Sequence, residues 1–298
     1  MKLVSVVVAT YRRDNDLKRA LESLAKQSYS NIEIVLVDDN ADSEWNSKVS
    51  LIVEDFKKNY PQILLNYIVN NPNQGSAKTR NIGIESSNGE YVTFLDDDDL
   101  YLQDKIKNQA EFMINGDYDY SITDLDLYNE NDKLIDRRKR SYIKDTTSES
   151  LFVYHFKFHM TGTDTMMFKK EYLMKIGGFA PIDVGDEFYL MQRAIEGGGK
   201  FGYLPCCDIK AYVHTGEDTG VSSGQGKIDG EKTLFEHKKE YFDKLDRKSQ
   251  RFIKMRHYAV IAFAYLRMRK YFSTSKCCFM SFISSPIQCV CFFFRRKL

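Results

Sequence analysis

The amino-acid sequence predicts an α/β protein, with a mostly parallel β-sheet flanked by helices and a helical C-terminal extension. Three observations support this prediction. Apolar, β-branched runs alternate with helical patterns through the first half of the chain, several of these runs end in polar residues, and the pattern becomes helical and basic beyond residue 229. At 298 residues, with 43% apolar and 13% aromatic content, the chain is neither disordered nor too short for a large core.

The first elements follow one another at the spacing of strand–helix–strand units. Leu3–Ala9 is a continuous apolar run, which is typical of a strand buried on both faces. Asp14 then stands where it can cap a helix whose apolar positions repeat every three or four residues. The same reasoning predicts further strands at Ile32–Val37, Ile63–Val69 and Tyr91–Leu95, and helices near 44–59, 76–86 and 102–114.

The second half of the body carries weaker patterns. Residues 118–138 are expected to form a hairpin around the turn 129–132. Further elements are predicted as strands at 163–168, 201–204 and 209–213 and as helices at 170–176 and 186–196. We divide the chain into a body over 1–228, with halves 1–115 and 116–228, and a helical extension over 229–298.

Charge separates these two parts. The net charge is +1, but residues 244–298 hold 13 Lys/Arg against one acid, Asp246, whereas the remainder holds 30 Lys/Arg against 41 Asp/Glu. Parts of opposite charge usually have different partners. The acidic body argues against nucleic acid as a partner.

Cysteine usage and the N-terminus indicate the compartment. The six cysteines occur as three close pairs without a CxxC motif, which favours reduced thiols in the cytoplasm. The apolar run after Met1 is not followed by the small-residue cleavage site of a signal peptide. We therefore expect a cytoplasmic protein.

Four consecutive aspartates, Asp96–Asp99, follow the predicted strand 91–95. Their mutual repulsion would be relieved by a hard divalent cation, which takes oxygen ligands. In an extended stretch, Asp96 and Asp98 would point the same way. The alternative is a solvated helix start at which one aspartate caps and the others are unconstrained.

A second acidic pair and a turn rich in polar residues lie at neighbouring positions of the predicted sheet. Asp38 and Asp39 end a strand, where an acid can accept from a ribose hydroxyl or a base N–H, or merely form an Asx turn. The segment 75–81 lacks the P-loop pattern but places Lys78 and Arg80 at the start of a helix, which suits phosphate.

Taken together, these motifs resemble those of a known enzyme family. Ser5–Arg13, Ile34–Asn40, Asn73–Gly83 and Gly89–Asp99 are similar, in this order, to the N-terminal motifs of family-2 glycosyltransferases of the GT-A fold, the last containing the DXD metal motif. The resemblance continues through 161–168 and 177–179 to about residue 240.

The resemblance implies a nucleotide-sugar donor, inversion of the anomeric centre, and Mn²⁺ or Mg²⁺ as cofactor. The half 1–115 would bind the nucleotide sugar and 116–228 the acceptor. By analogy, the metal would be held by Asp98 as direct ligand, with Asp96 and His214. The nucleotide-sugar residues would be Thr10, Tyr11 and Arg12 at the nucleoside, Asp39 with Asp38 at the base, Arg80 at the base or diphosphate, and Asp96 and Asp97 beside the ribose and metal.

The general base is the point at which the sequence departs from the family. The family usually has Glu-Asp ahead of Leu-x-x-Arg, whereas this chain has Asp186-Glu187. Alignment on Leu190 and Arg193 puts Glu187 in the base position, with Asp186 as the alternative. In a third interpretation, both acids only favour the start of the helix.

The remaining histidines are open to two interpretations each. His214 follows a predicted strand and could meet the metal or diphosphate, or be a structural donor. His155 and His159 have the spacing of helical metal ligands, but an acceptor-site wall or packing fits their aromatic surroundings better than zinc.

The basic extension predicts a membrane surface as partner. Apolar runs at 258–266 and 277–294 are bracketed by Lys and Arg, while polar residues and Pro286 interrupt the second run. We expect a segment that lies in the interface rather than spanning it, with packing on the body or dimerisation as alternatives.

The sequence thus predicts a glycosyltransferase that uses a UDP-sugar, peripheral on the cytoplasmic face of the membrane. Its acceptor would be a glycan or lipid-linked oligosaccharide in surface polysaccharide synthesis. A nucleotidyltransferase and an inactive sugar-nucleotide-binding protein are the rival hypotheses.

Overall fold

The computed structural model describes residues 1–182, 185–213 and 224–295. They group into two compact units: Met1–Ser148 with the described part of 160–214, and Glu149–His159 with the described part of 215–298. The second unit therefore takes in a segment that we place in the body from sequence. The functional halves 1–115 and 116–228 stay a prediction.

The first unit is built on a seven-stranded sheet in the order β10-β6-β9-β4-β1-β2-β3. All neighbours pair in parallel except β9, which is antiparallel to β4 and β6. This confirms the predicted mostly parallel α/β sheet. Its strands are β1 Val4–Thr10, β2 Ile32–Asp38, β3 Leu64–Val69, β4 Tyr91–Phe94, β6 Tyr120–Thr123, β9 Met166–Lys169 and β10 Phe201–Leu204.

A second sheet of four strands has the order β5-β11-β7-β8. The antiparallel pairing of β7 with β8 confirms a hairpin around 129–132, but only over residues 125–138. Residues 120–123, which were predicted to belong to the same hairpin, form β6 of the main sheet instead. The strands are β5 Leu100–Tyr101, β7 Leu125–Asn129, β8 Leu134–Arg138 and β11 Ile209–Val213.

Amphipathic helices cover the main sheet because their apolar faces have no other place to be buried. Leu17, Leu21 and Leu24 on one face of α1 are fully buried, and Asp14 caps this helix as predicted by accepting from Asn15 N. The helices of this unit are α1 Asn15–Ala25, α2 Ser43–Asn59, α3 Ser76–Glu85, α4 Lys105–Gly116, α6 Lys170–Lys175 and α7 Asp186–Glu196.

The approach of α3 to β1 requires a glycine. A Cβ at Gly83 would lie 2.4 Å from Val7 Cγ1, closer than two carbon atoms can approach. Gly83 thus sets the distance between this helix and the central strand, and with it the position of the residues at the helix start.

The carboxyl ends of β1, β2 and β4 meet at one edge of the sheet. Asp39 N donates to Thr10 O (2.9 Å), and Leu95 N donates to Val7 O (3.1 Å). In parallel α/β sheets this edge is where ligands bind. The polar residues that follow these three strands therefore belong to one site.

The second unit is helical. It contains most of α5 Ser148–Phe158, together with α8 Gly224–Lys239, α9 Arg247–Arg267, α10 Tyr271–Ser284 and α11 Pro286–Arg295. Phe152 and Phe156 of α5 stack on each other and pack against Tyr241, which explains why α5 groups with the C-terminal helices. Among the described helices, none has both the length and the apolar character needed to cross a bilayer.

Candidate active site

The four aspartates after β4 form a tight turn. Asp99 N donates to Asp96 O (3.1 Å), which closes the chain on itself instead of leaving it extended. The prediction of an extended stretch, in which Asp96 and Asp98 point the same way, is therefore wrong. The turn brings Asp96 and Asp99 close together and leaves Asp98 apart from them.

Asp96, Asp99 and Asp164 form a cluster in which one oxygen of each lies within 4.8 Å of the others. Asp164 reaches it because residues 163–165 form a 3-10 turn before β9, rather than the start of the predicted strand. Asp164 Oδ1 accepts from Asp96 N (2.8 Å), and Asp99 Oδ1 accepts from Tyr212 N (2.7 Å). Side chains distant in sequence thus fix the acidic turn.

Burial and mutual repulsion disfavour full ionisation of this cluster. Burial and the neighbouring Asp96 raise the pKa of Asp164 to about 7. Burial and the neighbouring Asp164 raise the pKa of Asp99 well above its usual range. The cluster therefore needs a bound proton or a cation to balance its charge.

Asp97 anchors the end of β1. Its Oδ2 accepts from Thr10 Oγ1 (2.7 Å) and from Tyr11 N (3.2 Å). Burial and the charge of Asp98 raise the pKa of Asp97 to about 7. Asp97 therefore fixes the end of β1, where the nucleoside is predicted to bind.

Asp98, the predicted direct metal ligand, forms an ion pair in this structure. Its Oδ2 lies 2.8 Å from Nη2 of Arg13, at the start of α1. Arg13 Nε also lies 3.8 Å from Asp97 Oδ1. Arg13 is thus a cation that already neutralises part of the acidic turn, and sequence reasoning gave it no role.

Arg80 connects the acidic turn to Asp186, the alternative to the predicted base Glu187. Its Nη2 lies 2.7 Å from Asp96 Oδ1, and its Nη1 lies 2.9 Å from Asp186 Oδ2. Burial alone would lower the pKa of Arg80, but the two carboxylates outweigh it and hold this pKa above its ordinary value. We predicted that Arg80 lies near the nucleotide base or the diphosphate of the donor. In the structure, its guanidinium is paired with Asp96 and Asp186.

Asn81, the next residue, holds the backbone that leads to α7. Its side-chain amide donates to Phe179 O (2.9 Å) and accepts from Phe179 N (2.8 Å). The ring of Phe179 in turn lies 5.5 Å from the Arg80 guanidinium. Asn81 of α3 thereby fixes the backbone at Phe179.

The two candidate bases stand in the first turn of α7 with different partners. Asp186 is ion-paired with Arg80 and accepts from Glu187 N (2.8 Å). Glu187 Oε2 instead accepts from the neutral hydroxyl of Thr163 (2.9 Å). Burial, and then the charge of Asp186, raise the pKa of Glu187 above its ordinary value, a direction that suits a general base.

Asp38 and Asp39 are buried and bound by the protein's own groups. Asp38 accepts from Tyr67 Oη (2.7 Å) and from Asn40. The carboxylate of Asp39 accepts from Asn70 Nδ2, Gln74 N and Gly75 N, at 2.8–2.9 Å. Both residues thus support the loops beside the site, and their contact with a base stays a prediction.

The remaining predicted nucleoside residues lie at the surface of this edge. Tyr11 is exposed, and the Arg12 guanidinium lies 5.3 Å from its ring centre. Arg12 N donates to Asn40 Oδ1 (2.7 Å), which orders a left-handed residue at the strand end. His214, the third predicted metal ligand, lies outside the described residues.

The histidine pair of α5 has the environment predicted for packing rather than for zinc. His155 is fully buried within the second unit. His159 lies beyond the end of α5, with its Nε2 2.5 Å from Lys238 Nζ and 2.7 Å from Arg256 Nη1. Two cationic neighbours disfavour a metal ion at this ring.

The residues at the sheet edge fit a divalent cation of the kind the resemblance implies. The donors are carboxylate oxygens, which Mg²⁺ and Mn²⁺ prefer, and Asp96 belongs both to the predicted pair and to the observed cluster. The raised pKa values of Asp99 and Asp164 are the electrostatic cost that such a cation would relieve. Asp164 and Thr163 were missed because no local pattern links them to residues so far away in the sequence, although 163–164 fall inside the stretch 161–168. Asp99 was given no role because the aspartate run was expected to be extended rather than turned.

A mixed but mostly parallel sheet, with an acidic turn after one strand and a pair of acids at a nearby helix start, defines the class of GT-A nucleotide-sugar transferases. The family model described as Glycosyl transferase family 2 matches residues 5–177 of this chain. The chain belongs to glycosyl transferase family 2.

A curated relative indicates the chemistry found in this family. The chain is 36% identical over 114 residues to the *Escherichia coli* UDP-Glc:alpha-D-GlcNAc-diphosphoundecaprenol beta-1,3-glucosyltransferase WfaP, covering 38% of this chain and 42% of WfaP. The chain spans between about a fifth and less than half of the length of the first curated relatives that it matches.

Solved structures show the same fold at low sequence identity. *S. aureus* TarS 1-349 in complex with UDP-GlcNAc has a TM-score of 0.61 at 18% identity, over 97% of this chain and 83% of TarS. Mannosyltransferase PcManGT from *Pyrobaculum calidifontis*, in complex with GDP-Man and Mn²⁺, has a TM-score of 0.62 at 15% identity, over 98% and 78%. These likenesses establish the GT-A fold.

Proposed function

We propose that this chain is a divalent-cation-dependent, inverting glycosyltransferase. It transfers a sugar from a nucleoside-diphosphate donor to a hydroxyl group of a glycan or lipid-linked acceptor. The observation that carries the proposal is the ion-paired chain from Asp96 through Arg80 to Asp186, with Glu187 beside it, in a member of family 2. A donor-binding acid and a candidate base are held at one edge of the sheet.

The donor is assigned to the carboxyl edge of β1, β2 and β4. The ring of Tyr11, with Arg12 beside it, offers a stacking surface for the base, and Thr10 is fixed by Asp97. We assign the cation to Asp96, which is shared by the pair with Asp98 that the motif implies and by the observed cluster with Asp99 and Asp164. Asp98 is ion-paired with Arg13 in this structure and would have to leave Arg13 to join the cation. When bound, such a cation neutralises charge on the departing diphosphate.

Glu187 is proposed as the general base. It removes the proton from the acceptor hydroxyl as the oxygen of that hydroxyl forms a bond to the anomeric carbon. The bond from this carbon to the diphosphate oxygen breaks, and the nucleoside diphosphate leaves with the electron pair. Asp186 is less suited to this role because its carboxylate is already paired with Arg80, so we give it the role of holding Arg80 in place.

The name of one relative supports the proposed substrates. The name of WfaP specifies UDP-glucose and a diphosphoundecaprenol-linked acceptor, which supports a UDP-sugar and a lipid-linked or glycan acceptor of surface polysaccharide here. A lipid-linked acceptor requires the enzyme to work at a membrane. We therefore propose a peripheral protein at the cytoplasmic face.

The experiment is a donor screen that measures nucleotide release. UDP-, GDP- and dTDP-sugars are incubated with Mn²⁺, Mg²⁺ or EDTA, with and without a diphospholipid-linked sugar acceptor. We expect UDP release that requires both the cation and the acceptor. Metal-dependent binding without turnover of any donor would instead support the inactive binding protein.

A further inference from the structure

In α10 and α11 of the second unit, small side chains are buried and large apolar side chains are exposed, which is the reverse of the usual distribution. Where α10 packs on α9, the buried contact is made by Ser281, whose Oγ donates to Met255 O (2.9 Å) and lies 3.4 Å from Cys289 Sγ of α11. Ser281 and Cys289 are both buried. Small, weakly polar residues thus face the neighbouring helix, whereas water-soluble helices normally place large apolar residues there.

The large apolar residues of these helices face outwards instead. Phe272 is 87% exposed and Phe279 is 64% exposed, two turns apart on one side of α10, and Ile287 on α11 is 80% exposed. Further exposed apolar residues continue the pattern at the spacing of helix turns: Phe282, Ile283 and Val290. Contiguous exposed apolar surface of this kind marks an interaction site.

The charge around this apolar surface selects its partner. Arg269 and Lys270 are exposed just before α10, and Lys276 is exposed on the helix itself. In the sequence, residues 295–297 are also basic. Asp246 is the only acid in residues 244–298. A second copy of the chain would bring two strongly basic segments together, whereas anionic lipid offers both phosphate groups for the cations and hydrocarbon for the aromatic rings.

We infer that the outward faces of α10 and α11 insert into the interfacial layer of an anionic bilayer, with the flanking Lys and Arg on lipid phosphates. The bend at Ser285 and Pro286, between the two helices, suits a pair of short helices lying along a surface. The inference deepens the proposed function by naming the surface that presents a lipid-linked acceptor, and it rests on that function only for this purpose.

Vesicle co-sedimentation of the full-length chain tests the inference. The vesicles contain phosphatidylcholine with or without phosphatidylglycerol, and no donor or acceptor is present. We expect binding to the anionic vesicles that weakens with added salt, because the cations are screened. If the chain binds neither type of vesicle, or binds both types equally, the result would overturn the inference.

Matched variants assign the binding to this surface. Phe272→Ser with Phe279→Ser and Ile287→Ser removes exposed apolar area without touching the buried contact, so we expect at least about a tenfold loss of vesicle binding. Leu51→Ser on α2, where the leucine is 65% exposed, is the control and should bind like the parent. Unchanged binding of the triple variant, or a shift from dimer to monomer by sedimentation without loss of vesicle binding, would refute the lipid assignment.

The same variants separate this inference from the proposed function. Nucleotide release from a soluble acceptor analogue does not require a membrane, so it should be unaffected by the triple substitution. If the chain binds vesicles through these residues but turns over no donor, the result supports the docking surface and contradicts the proposed glycosyltransferase activity.

Discussion

Glu187 differs from its neighbour Asp186 mainly in its partner. Burial raises the pKa of Asp186 as well, but the charge of Arg80 opposes this rise and Arg80 occupies the carboxylate, whereas Glu187 accepts one hydrogen bond from a neutral hydroxyl. Since a general base must be unprotonated, turnover falls as the pH drops through its pKa. Burial raises the pKa of Glu187, so with Glu187 as the proposed base we expect the acidic limb of kcat/KM above the usual range of a glutamate.

We predict that Glu187→Gln lowers kcat by about 10²–10⁴-fold and removes this acidic limb, because the amide cannot take the proton. Asp186→Asn should retain the limb and act mainly through donor binding. The measurement is the pH profile of nucleotide release for the three proteins. A limb that survives in Glu187→Gln and disappears in Asp186→Asn would reverse the two assignments.

Thr163 provides a finer test of the same residue. Its hydroxyl donates to Glu187 and thereby lowers the pKa of this carboxyl, opposing the effect of burial. Thr163→Val removes the donor at almost the same volume, so the acidic limb should move to higher pH. Thr163→Ser keeps a hydroxyl and should leave the limb in place; a profile that is the same in all three proteins would contradict the contact.

At the scale of elements, Arg80 at the start of α3 joins the turn after β4 to the start of α7. Without it, Asp96 and Asp186 would face each other with their charges uncompensated. We predict that Arg80→Ala costs about 2–3 kcal/mol of unfolding free energy, somewhat less than a fully buried pair because Asp96 is partly exposed. Urea denaturation measures the loss, and Lys78→Ala, exposed on the same helix, is the control.

The contact of α3 with the sheet can be tested independently of the charges. A methyl group at Gly83 would meet Val7 at 2.4 Å, and overpacking of this kind costs about 1–3 kcal/mol. We predict a lower urea midpoint for Gly83→Ala and no such loss for Glu85→Ala, at an exposed position of α3. An unchanged midpoint in Gly83→Ala would show that the helix shifts at little cost.

The elements themselves were largely predictable from the sequence. The buried strands β1, β2 and β4 follow from continuous apolar runs, and the β7–β8 hairpin follows from its polar turn. The alternation of side chains along an extended strand could not predict that the backbone reverses within the four aspartates Asp96–Asp99. The hydrogen bond from Asp99 N to Asp96 O, which sets this turn, has no signature in side-chain pattern.

The residues of the candidate site could be predicted from the sequence where they come directly after a predicted strand or near the start of a predicted helix. Asp96, Asp98 and Arg80 are in motifs at the strand and helix ends, and the structure places all three at one edge of the sheet. Asp164 and Thr163 complete this site from a turn more than 60 residues further along the chain. Their role depends on the pairing of β9 with β4, which local sequence does not specify.

At the scale of the whole molecule, the chain divides its chemistry between two units. The acidic site lies entirely in the first unit, and the basic helices with exposed aromatic rings lie in the second. In the sequence, the basic segment 244–298 corresponds to only part of the second unit, which also takes in residues 149–159. Donor chemistry and membrane docking are therefore expected to respond to different substitutions.

The central claim is that the acidic turn after β4 holds a divalent cation on which transfer depends. The most direct measurement is nucleotide release from a UDP-sugar, titrated with Mn²⁺, for the parent chain, Asp96→Asn and Asp98→Ala. The account predicts release by the parent only with the cation, and loss of release in both variants with the fold intact by circular dichroism. Equal release by the parent in EDTA and in Mn²⁺, or full activity of Asp96→Asn, would contradict it.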